Sequence, residues 1–389
     1  MVSEELKNPS KEVSPSLRIA IMSPWNDACG IAVHAWLVGT AWLRAGHEIV
    51  VFASVNERPY GRKPLDVPDE KFVYRCWQLY RYGDRIENIS SLNLYFNPEP
   101  FLKEDFDVIF IEKPCSTPLD KLIEILPHLR RKGPIVAVMH EGIVPKTKDF
   151  YNITWELATI FDERFYRLYG HFIKAKKVEI VPYPYHTIKK GNKKAARSDL
   201  KLPIDKDIIL TLGIRAKYLW ELMPYLDKIA RERDLILLIL SKHKESINHA
   251  MQLKNRYNFV CVRREAPSYE RLYKYLHASD VLLVHRPSQV NYIPVSSTVH
   301  LCLGAMRPIL CADSTFFAPY NRFIVKYHGP EDFLNKLNLL LDDRVFVKNV
   351  LKSAERVITK NSADRVAQIL LKLAFEEYQQ LQLELLRCF

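Results

Sequence analysis

The sequence of 389 residues contains no long uninterrupted hydrophobic run. Its most apolar segments, residues 208–212 and 235–240, are far shorter than the roughly 20 residues that a membrane-spanning helix needs. The first 16 residues mix acidic side chains with lysines and have no apolar centre, which indicates a loose N-terminal tail and no secretory signal. We therefore expect a cytoplasmic protein.

The cysteines also lack any pairing pattern. Seven of them are dispersed along the chain, and none has the Cys-x-x-Cys spacing that zinc and redox sites use. An odd, scattered set does not suit a disulfide framework either. We expect reduced thiols in a cytosolic protein, and no bound metal.

The net charge of +12 is not accompanied by a helix-turn-helix, RNA-recognition or zinc-finger pattern. Nucleic acid is therefore not an expected partner. The charge suits phosphorylated small molecules or an anionic membrane surface instead. Part of it lies in residues 189–197, for which a solvated interdomain linker is the simplest interpretation.

Strand and helix patterns alternate through both halves of the chain, which is typical of parallel sheets. Residues 56–106 have no assignable pattern. In the first half, strands are predicted at residues 18–23, 48–53, 108–111, 135–139 and 179–182, and helices at 31–45, 119–131 and 155–173. In the second half, strands are predicted at 208–212, 235–240, 259–262, 281–285 and 309–312, and helices at 219–231, before 257, at 269–278, from 296, and at 331–341, 344–359 and 363–386.

The fold class that follows is α/β, with two Rossmann-like doubly wound domains that face a cleft. A tail at residues 1–16 precedes the first domain, which spans residues 17–187. The basic, apolar-poor stretch 188–206 is predicted as the linker. The second domain spans residues 207–362, and a final helix occupies 363–389.

The first strand-to-helix turn lacks a G-x-G-x-x-G fingerprint, which disfavours a nicotinamide dehydrogenase. The turn contains a single glycine, Gly30, at the mouth of the helix. Two interpretations stay open for this position. Gly30 either lets a ligand approach the backbone closely or is a plain helix-start glycine.

Two polar residues, His140 and Glu141, directly follow a strand of the first half. Open α/β sheets place their ligands beyond the carboxyl ends of their strands. His140 and Glu141 are therefore candidate catalytic residues, although a lone histidine is also often structural.

Three hydroxyl side chains, Ser296, Ser297 and Thr298, lie at a predicted helix start. Unpaired backbone N–H groups and the positive end of the helix dipole suit a phosphate-bearing ligand there. Arg215 and Lys217 follow the first strand of the second half and suit a diphosphate, or else are solvated loop charges. We predict that the two sets converge on one anion site.

Four stretches resemble the GT-B glycosyltransferases, particularly the retaining enzymes of family 4. Residues 18–53 resemble the family's opening strand, glycine turn, helix, Gly-His-Glu and strand. Residues 177–185 resemble the stretch that closes the first domain, and residues 209–217 the start of the donor domain. Residues 269–313 resemble the donor-site core, with Ala-Ser-Asp before one strand and x-Pro before the next.

The resemblance implies a nucleotide-sugar donor of UDP or GDP type in the C-terminal domain. It also implies a carbohydrate or lipid-linked acceptor in the N-terminal domain, to which the last helix would return. No obligatory metal or other cofactor is implied, because protein cations and helix ends neutralise the diphosphate. The backbone around Val262 and Arg263 would border the base.

The resemblance also implies roles for four of the residues above. Gly30 would lie near the donor phosphate and the acceptor, and His140 would contact the transferred sugar. Arg215 and Lys217 would hold the diphosphate. The implied activity is hexosyl transfer to a hydroxyl, with retention of configuration.

The sequence departs from the family where two glutamates, separated by seven residues, usually contact the sugar and the ribose. Residues 291–301 contain no glutamate. Hydroxyl groups can bind phosphate, but they cannot replace the hydrogen bonds that a carboxylate accepts from sugar hydroxyls. Two alternatives therefore stay open, a non-catalytic relative that binds a sugar nucleotide or a protein partner and, less favoured, a sugar-nucleotide epimerase.

Basic and aromatic residues are interleaved in the acceptor-side half. This pattern suits either peripheral attachment to the inner face of an anionic membrane or a solvated, partly packed insertion. The residues are Arg58, Tyr60, Arg62, Lys63, Tyr74, Arg75, Trp77, Tyr80, Arg81, Tyr82 and Arg85.

Overall fold

The computed structural model describes residues 16–55, 64–79, 94–146, 148–289 and 292–387, without the side chains of residues 214–217, 377–378 and 380–387. Within these residues, two separate parallel sheets of seven and six strands are flanked by helices. The predicted fold class, two doubly wound α/β domains, is confirmed. The domain limits given above stay predictions.

The first sheet consists of β1 (Arg18–Ser23), β2 (Glu48–Ser54), β3 (Val73–Trp77), β4 (Val108–Glu112), β5 (Ile135–Val138), β6 (Trp155–Ile160) and β7 (Ala175–Ile180). Its spatial order is β3-β2-β1-β4-β5-β6-β7, and every neighbouring pair is parallel. The chain changes direction along the sheet between β1 and β4. Doubly wound sheets bind ligands beyond the carboxyl ends of the strands at such a point.

The second sheet consists of β8 (Asp207–Leu212), β9 (Leu235–Leu240), β10 (Val260–Arg263), β11 (Val281–Val284), β12 (Ile309–Ala312) and β13 (Val325–Tyr327). Its order is β10-β9-β8-β11-β12-β13, again with parallel pairing throughout. Its switch point lies between β8 and β11.

The helices of the described segments are α1 (Gly30–Arg44), α2 (Glu99–Lys103), α3 (Leu119–Lys132), α4 (Glu163–Tyr169), α5 (Lys193–Asp199), α6 (Met223–Glu232), α7 (Lys244–Arg256), α8 (Tyr269–Ala278), α9 (Ser297–Cys302), α10 (Gly329–Asp342), α11 (Arg344–Lys360) and α12 (Ala363–Arg387). Short 3₁₀ helices lie at Pro114–Ser116, Lys148–Asn152, Gly170–Phe172, Gly213–Leu222 and Leu303–Ala305. Over the part of the chain that the structure covers, every helix is too short or too polar to cross a bilayer.

The central strands are almost wholly apolar because helices cover both faces of each sheet. Helix α1 ends before Gly46, whose φ of 90° is left-handed and therefore suits glycine. Helix α12 packs on α1. The Trp42 Nε1–H donates to the carbonyl of Ala367 at 3.0 Å, and Arg44 pairs with Asp364 at 2.6 Å.

The helix predicted at residues 155–173 is wrong in its first part. Residues Trp155–Ile160 form β6, which pairs with both β5 and β7. Only Glu163–Tyr169 is helical, as α4. Hydrogen-bonded pairing with strands on both sides of β6 determines its conformation. The pattern of apolar residues within the segment alone cannot distinguish a buried strand from a helix.

Other elements differ from the predictions in smaller ways. The helix predicted from residue 219 begins at Met223, after a 3₁₀ segment. The unassigned residues 56–106 contain β3 and α2, and β13 was not predicted. The predicted linker includes α5, where Arg197 is buried, donates to the carbonyl of Ala278 and pairs with Asp280.

Candidate functional site

A cavity of about 810 Å³ lies between the carboxyl ends of the two sheets. Its wall on the first-sheet side includes Gly30, Lys113 and His140, which follow β1, β4 and β5. Its wall on the second-sheet side includes Gly213 and Arg286, which follow β8 and β11. The cavity therefore joins both switch points, where this type of fold binds its ligands.

His140 is held from behind by a buried carboxylate. Its Nε2 lies 2.6 Å from one oxygen of Glu112, the last residue of β4. The other oxygen of Glu112 lies 2.8 Å from Nδ1 of His34 on α1. The side chain of Glu112 has no exposed surface, and that of His140 has 7%. The candidate catalytic histidine thus borders the cavity at the end of a hydrogen-bonded chain.

Charge and burial oppose each other in this cluster. Burial raises the pKa of Glu112, but the two neighbouring imidazoles outweigh it, so the net pKa is lowered to about 2. Burial lowers the pKa of His140 to about 4, and the hydrogen bond to Glu112 opposes that shift only in part. Near neutral pH, Glu112 is therefore ionised and His140 is uncharged.

The same trio is the group of side chains, among the described residues, that could offer three ligand atoms to a metal. Each carboxylate oxygen already lies at hydrogen-bond distance from one imidazole. We interpret the trio as a hydrogen-bonded relay.

Glu141, the other candidate catalytic residue, is buried and does not line the cavity. Neither of its carboxylate oxygens has a hydrogen-bond partner of normal geometry. Burial raises the pKa of Glu141, and nearby Lys113 opposes this only in part. The structure thus places Glu141 behind the cavity wall.

Gly30 and the hydroxyl cluster meet across the cavity. A Cβ added to Gly30 would lie 3.4 Å from Oγ of Ser297. Ser296, Ser297 and Thr298 all line the cavity. The helix predicted to begin there is short: α9 begins at Ser297, and the side chain of Ser296 does not cap it. This close approach was not predicted from the sequence, and the helix dipole behind the hydroxyl cluster is that of a six-residue helix.

The other predicted donor residues differ in position. Arg215 and Lys217 lie in the 3₁₀ helix after β8, and their side chains are outside the described residues. Val262 and Arg263 belong to β10 and do not line the cavity, and Arg263 donates to the carbonyl of Leu200 at 3.2 Å.

Several cavity residues were not predicted from the sequence. Four cations line it, and Glu265 is the acidic residue among the described lining. Glu265 already binds Arg271 at 2.6 Å and also accepts a hydrogen bond from Tyr275. The cavity therefore favours an anionic ligand. The four cations are Lys113, Lys242, Lys244 and Arg286.

The two rims of the cavity are bridged by contacts between the halves. On one side, Asp66 donates its backbone N–H to the carbonyl of Ala266 at 2.6 Å, and its carboxylate binds Lys242. On the other side, the Ile293 N–H donates to the carbonyl of Gly142 at 2.8 Å. A Cβ on Gly142 would meet the Ile293 carbonyl at 2.5 Å, so this close approach requires glycine.

No protein-family model matches the chain. Its structure is similar to that of Anabaena HepE in complex with UDP-glucose, with a TM-score of 0.60 and 10% identity, over 92% of this chain and 98% of that one. It is also similar to sucrose-phosphate synthase from Thermosynechococcus elongatus, with a TM-score of 0.59 and 14% identity, over 95% and 100%. A glycosyltransferase from Rickettsia africae gives a TM-score of 0.58 and 10% identity, over 94% and 99%. Similarity over nearly the whole chain shows that this protein has the GT-B fold.

Proposed function

We propose that the protein is a glycosyltransferase that moves a hexosyl group from a nucleotide-diphosphate sugar to a hydroxyl acceptor. The observation that carries this proposal is the cationic cavity between the two switch points of a GT-B fold, with His140 at its wall. Structurally similar proteins were solved with UDP-glucose, with UDP and glucose, and with UDP and GlcNAc. These ligands support a UDP-type donor, with a GDP-type donor as the second choice.

The second-sheet wall is proposed to bind the diphosphate. Lys242, Lys244 and Arg286 line this wall, and Arg215 and Lys217 follow the adjacent strand β8. As the glycosidic bond breaks, negative charge grows on the diphosphate leaving group, and fixed cations stabilise it. With enough protein cations, the reaction would need no metal ion.

The first-sheet wall is proposed to bind the acceptor and the transferred sugar. The donor phosphate is proposed to lie at the lining residues Gly30 and Ser297, and His140 is proposed to contact a sugar hydroxyl. Glu265, the acidic residue of the described lining, is already paired and is not placed as a nucleophile. We therefore expect positioning and leaving-group stabilisation to supply most of the rate. Retention of configuration is proposed from the resemblance to the retaining enzymes.

A non-catalytic relative that binds a sugar nucleotide is the second candidate. One specific observation favours it: Glu265, the acidic residue of the described lining, already binds Arg271 and Tyr275. The cavity then holds sugar hydroxyls without an available carboxylate. Binding without turnover is the expected behaviour of such a protein.

A panel of UDP- and GDP-sugars, with and without simple hydroxyl acceptors, separates the two candidates. Thermal shift reports binding, and chromatography of the released nucleoside diphosphate reports turnover. Hydrolysis or transfer of one donor, undiminished by EDTA, supports the enzyme. Binding of a donor without any release supports the non-catalytic relative, and absence of binding across the panel contradicts both. The anomeric configuration of the product, read by NMR, tests retention.

We further infer a lipid-linked acceptor at an anionic membrane face. The basic and aromatic segment 58–85, from which membrane attachment was predicted, is partly packed in the first domain. Trp77 is buried, and Arg75 binds Asp69. Residues 56–63 and 80–93 lie outside the described part of the chain. A different surface supports the idea. Tyr166 in α4 and Phe172 in the turn that follows it are 37% and 55% exposed and lie beside exposed basic residues. The basic residues are Arg167, His171 and Lys174.

A further inference from the structure

We propose that Glu112 and His34 are positioning residues that fix the tautomer and the orientation of His140 at the cavity wall. The consequence for sugar transfer rests on the proposed function, whereas the geometry of the relay does not. Neither residue lines the cavity, so any effect of theirs on a ligand must pass through residues that do, and Glu112 hydrogen-bonds to one of these, His140.

The tautomer follows from the chemistry of the carboxylate. An ionised carboxylate only accepts hydrogen bonds, so both nitrogens that face it must carry a proton. His34 therefore donates from Nδ1 and His140 donates from Nε2, at 2.8 and 2.6 Å. In an uncharged imidazole, the proton on Nε2 leaves Nδ1 as the acceptor. His140 is thus fixed as a hydrogen-bond acceptor on its remaining nitrogen.

The orientation follows from an aromatic enclosure. The ring of His34 stands nearly perpendicular to that of His140, with 5.2 Å between centroids. Phe161 packs edge-on against His140 at 4.8 Å, and Tyr183 against His34 at 5.1 Å. The Tyr183 hydroxyl donates to the carbonyl of Gly30 at 2.6 Å. This hydrogen bond links the aromatic rings around the two imidazoles to the first strand-to-helix turn. These contacts leave the two imidazoles little freedom to rotate.

The relay selects what His140 can bind. An acceptor nitrogen suits a hydroxyl group that donates, such as one on the transferred sugar, and does not suit a carboxylate or phosphate oxygen. The charged and titratable groups acting on His140 are Glu112 on β4, His34 on α1 and Lys113 after β4. Lys113 further disfavours the imidazolium form. The ligand contact of His140 is therefore predicted to be a sugar or acceptor hydroxyl.

Matched substitutions test the relay. Glu112→Gln keeps the shape but offers one acceptor and one donor, so one of the two imidazoles must change its tautomer. His34→Asn keeps an N–H donor near the position of Nδ1, whereas His34→Leu removes it. The control is Glu245→Gln, in the partly exposed Glu245–His249 pair on α7.

The readout is ¹⁵N NMR of histidine-labelled full-length protein, which reports tautomer and titration without requiring activity. In the wild type, we expect His140 to be protonated on Nε2. In Glu112→Gln, at least one of the two imidazoles should show the other tautomer near neutral pH, because the amide offers one acceptor and one donor. His34→Asn should resemble the wild type, His34→Leu should broaden or shift the His140 signals, and Glu245→Gln should leave them unchanged.

Unaltered His140 tautomer and titration in both Glu112→Gln and His34→Leu would overturn the relay. So would wild-type His140 signals that change on adding EDTA or Zn²⁺, because the nitrogens would then be metal ligands. If transfer is detected, kcat should fall tenfold or more in Glu112→Gln and His34→Leu while the donor KM changes less than twofold. If the NMR signals of His140 change in the variants but no sugar transfer is detected, the relay is supported and the proposed function is contradicted. If sugar transfer is detected but the NMR signals are unaltered, the proposed function is supported and the relay is contradicted.

Discussion

The imidazole of His300 stacks on the ring of Tyr185, with 4.1 Å between centroids and 21° between planes. His300 belongs to α9 beside the second sheet, and Tyr185 follows β7 of the first. The carbonyl of His300 also accepts the N–H of His186 at 2.9 Å. A buried histidine on α9, a helix that lines the cavity, therefore joins the two halves.

Three histidines with lowered pKa values predict a loss of stability in acid. Burial lowers the pKa of His300 to about 3 and the pKa of His186 and His140 to about 4. An unfolded histidine titrates near about 6.5, so unfolding takes up these protons. This stability is fully present above that pH and is lost as the pH falls through about 4. These three histidines together should lower the free energy of unfolding by roughly 4 kcal/mol per pH unit near pH 5, at about 1.4 kcal/mol for each proton.

Urea unfolding between pH 7.5 and 5 measures this slope. His300→Phe keeps a stacking ring but loses the contact with Tyr320, so its absolute stability should drop. The slope, however, should become shallower by about 1.4 kcal/mol per pH unit, which is the share of one proton. The partly exposed His249 provides the control, and His249→Gln should retain the wild-type slope. An unchanged slope in His300→Phe would contradict the assignment.

Substitution by alanine is predicted to have different effects on stability at two glycines near the cavity. A Cβ on Gly142 would meet the Tyr292 ring at 2.4 Å, so Gly142→Ala must move the rim and should cost about 1–3 kcal/mol. A Cβ on Gly30 meets Ser297 at an ordinary 3.4 Å, so Gly30→Ala should change stability by less than about 0.5 kcal/mol.

Chemical unfolding and nucleotide-sugar affinity, measured on both variants, decide between the two interpretations of Gly30. Lower affinity in a stable Gly30→Ala protein supports close approach of a ligand to the backbone. Wild-type affinity would leave Gly30 as a plain helix-start glycine.

Glu141 is expected to change the free energy of unfolding with pH in the opposite direction to the histidines. Its pKa is raised by burial, so the folded protein holds a proton that the unfolded chain releases. This stability is present below the unfolded pKa of about 4.3 and is lost as the pH rises through the folded pKa. Glu141→Gln cannot ionise and keeps the shape. The stability of the variant relative to the wild type should therefore grow from pH 5 to pH 8.

Thermal unfolding at several pH values tests this, with Glu245→Gln on the exposed face of α7 as the control. Because Glu141 does not line the cavity, Glu141→Gln should keep nucleotide-sugar binding. A stable variant that loses turnover would instead support the sequence-based prediction that Glu141 is catalytic.

Local patterns were sufficient to predict much of the fold. The residues of β1, β9, α8 and β12 match their predicted bounds, because apolar runs and helical spacing are properties of short segments. The strand β6 was missed because its conformation depends on pairing with neighbours on both sides. For Arg75 and Trp77, the sequence left open a membrane-facing segment and a partly packed insertion, because their position in the edge strand β3 depends on pairing with β2.

The candidate site was predicted where a residue follows a strand or begins a helix. His140 follows β5, Gly30 and residues 296–298 lie at helix starts, and all of them line the cavity. Glu112 also ends a strand and could have been found, but His34 lies 78 residues away on an apolar helix face and gives no local signal. A relay that depends on contacts between distant segments requires the folded structure.

Arg215 is predicted to bind the diphosphate, as part of the cationic wall near β8. One charge-assisted hydrogen bond is worth about 1.5–3 kcal/mol, so Arg215→Ala should weaken nucleoside-diphosphate binding by tenfold or more in this estimate. Calorimetry measures the affinity, and Lys244→Gln tests a cation that lines the cavity. Arg231→Ala is the matched control, since this exposed residue pairs with Asp227 on α6. Equal affinity in Arg215→Ala and Arg231→Ala would remove Arg215 from the site.

The surface around α4 is predicted to bind anionic vesicles. Phe172 and Tyr166 are exposed aromatic residues, and each basic side chain near an anionic surface contributes about 1 kcal/mol. Co-sedimentation at low salt should therefore detect binding to vesicles that contain anionic lipid, and higher salt should weaken it. Phe172→Ser should reduce the bound fraction severalfold. Val345→Ser, at an apolar residue 70% exposed on α11 of the other half, should not. Equal binding to neutral and anionic vesicles, or no binding at low salt, would remove the membrane from the proposal and leave glycosyl transfer untouched.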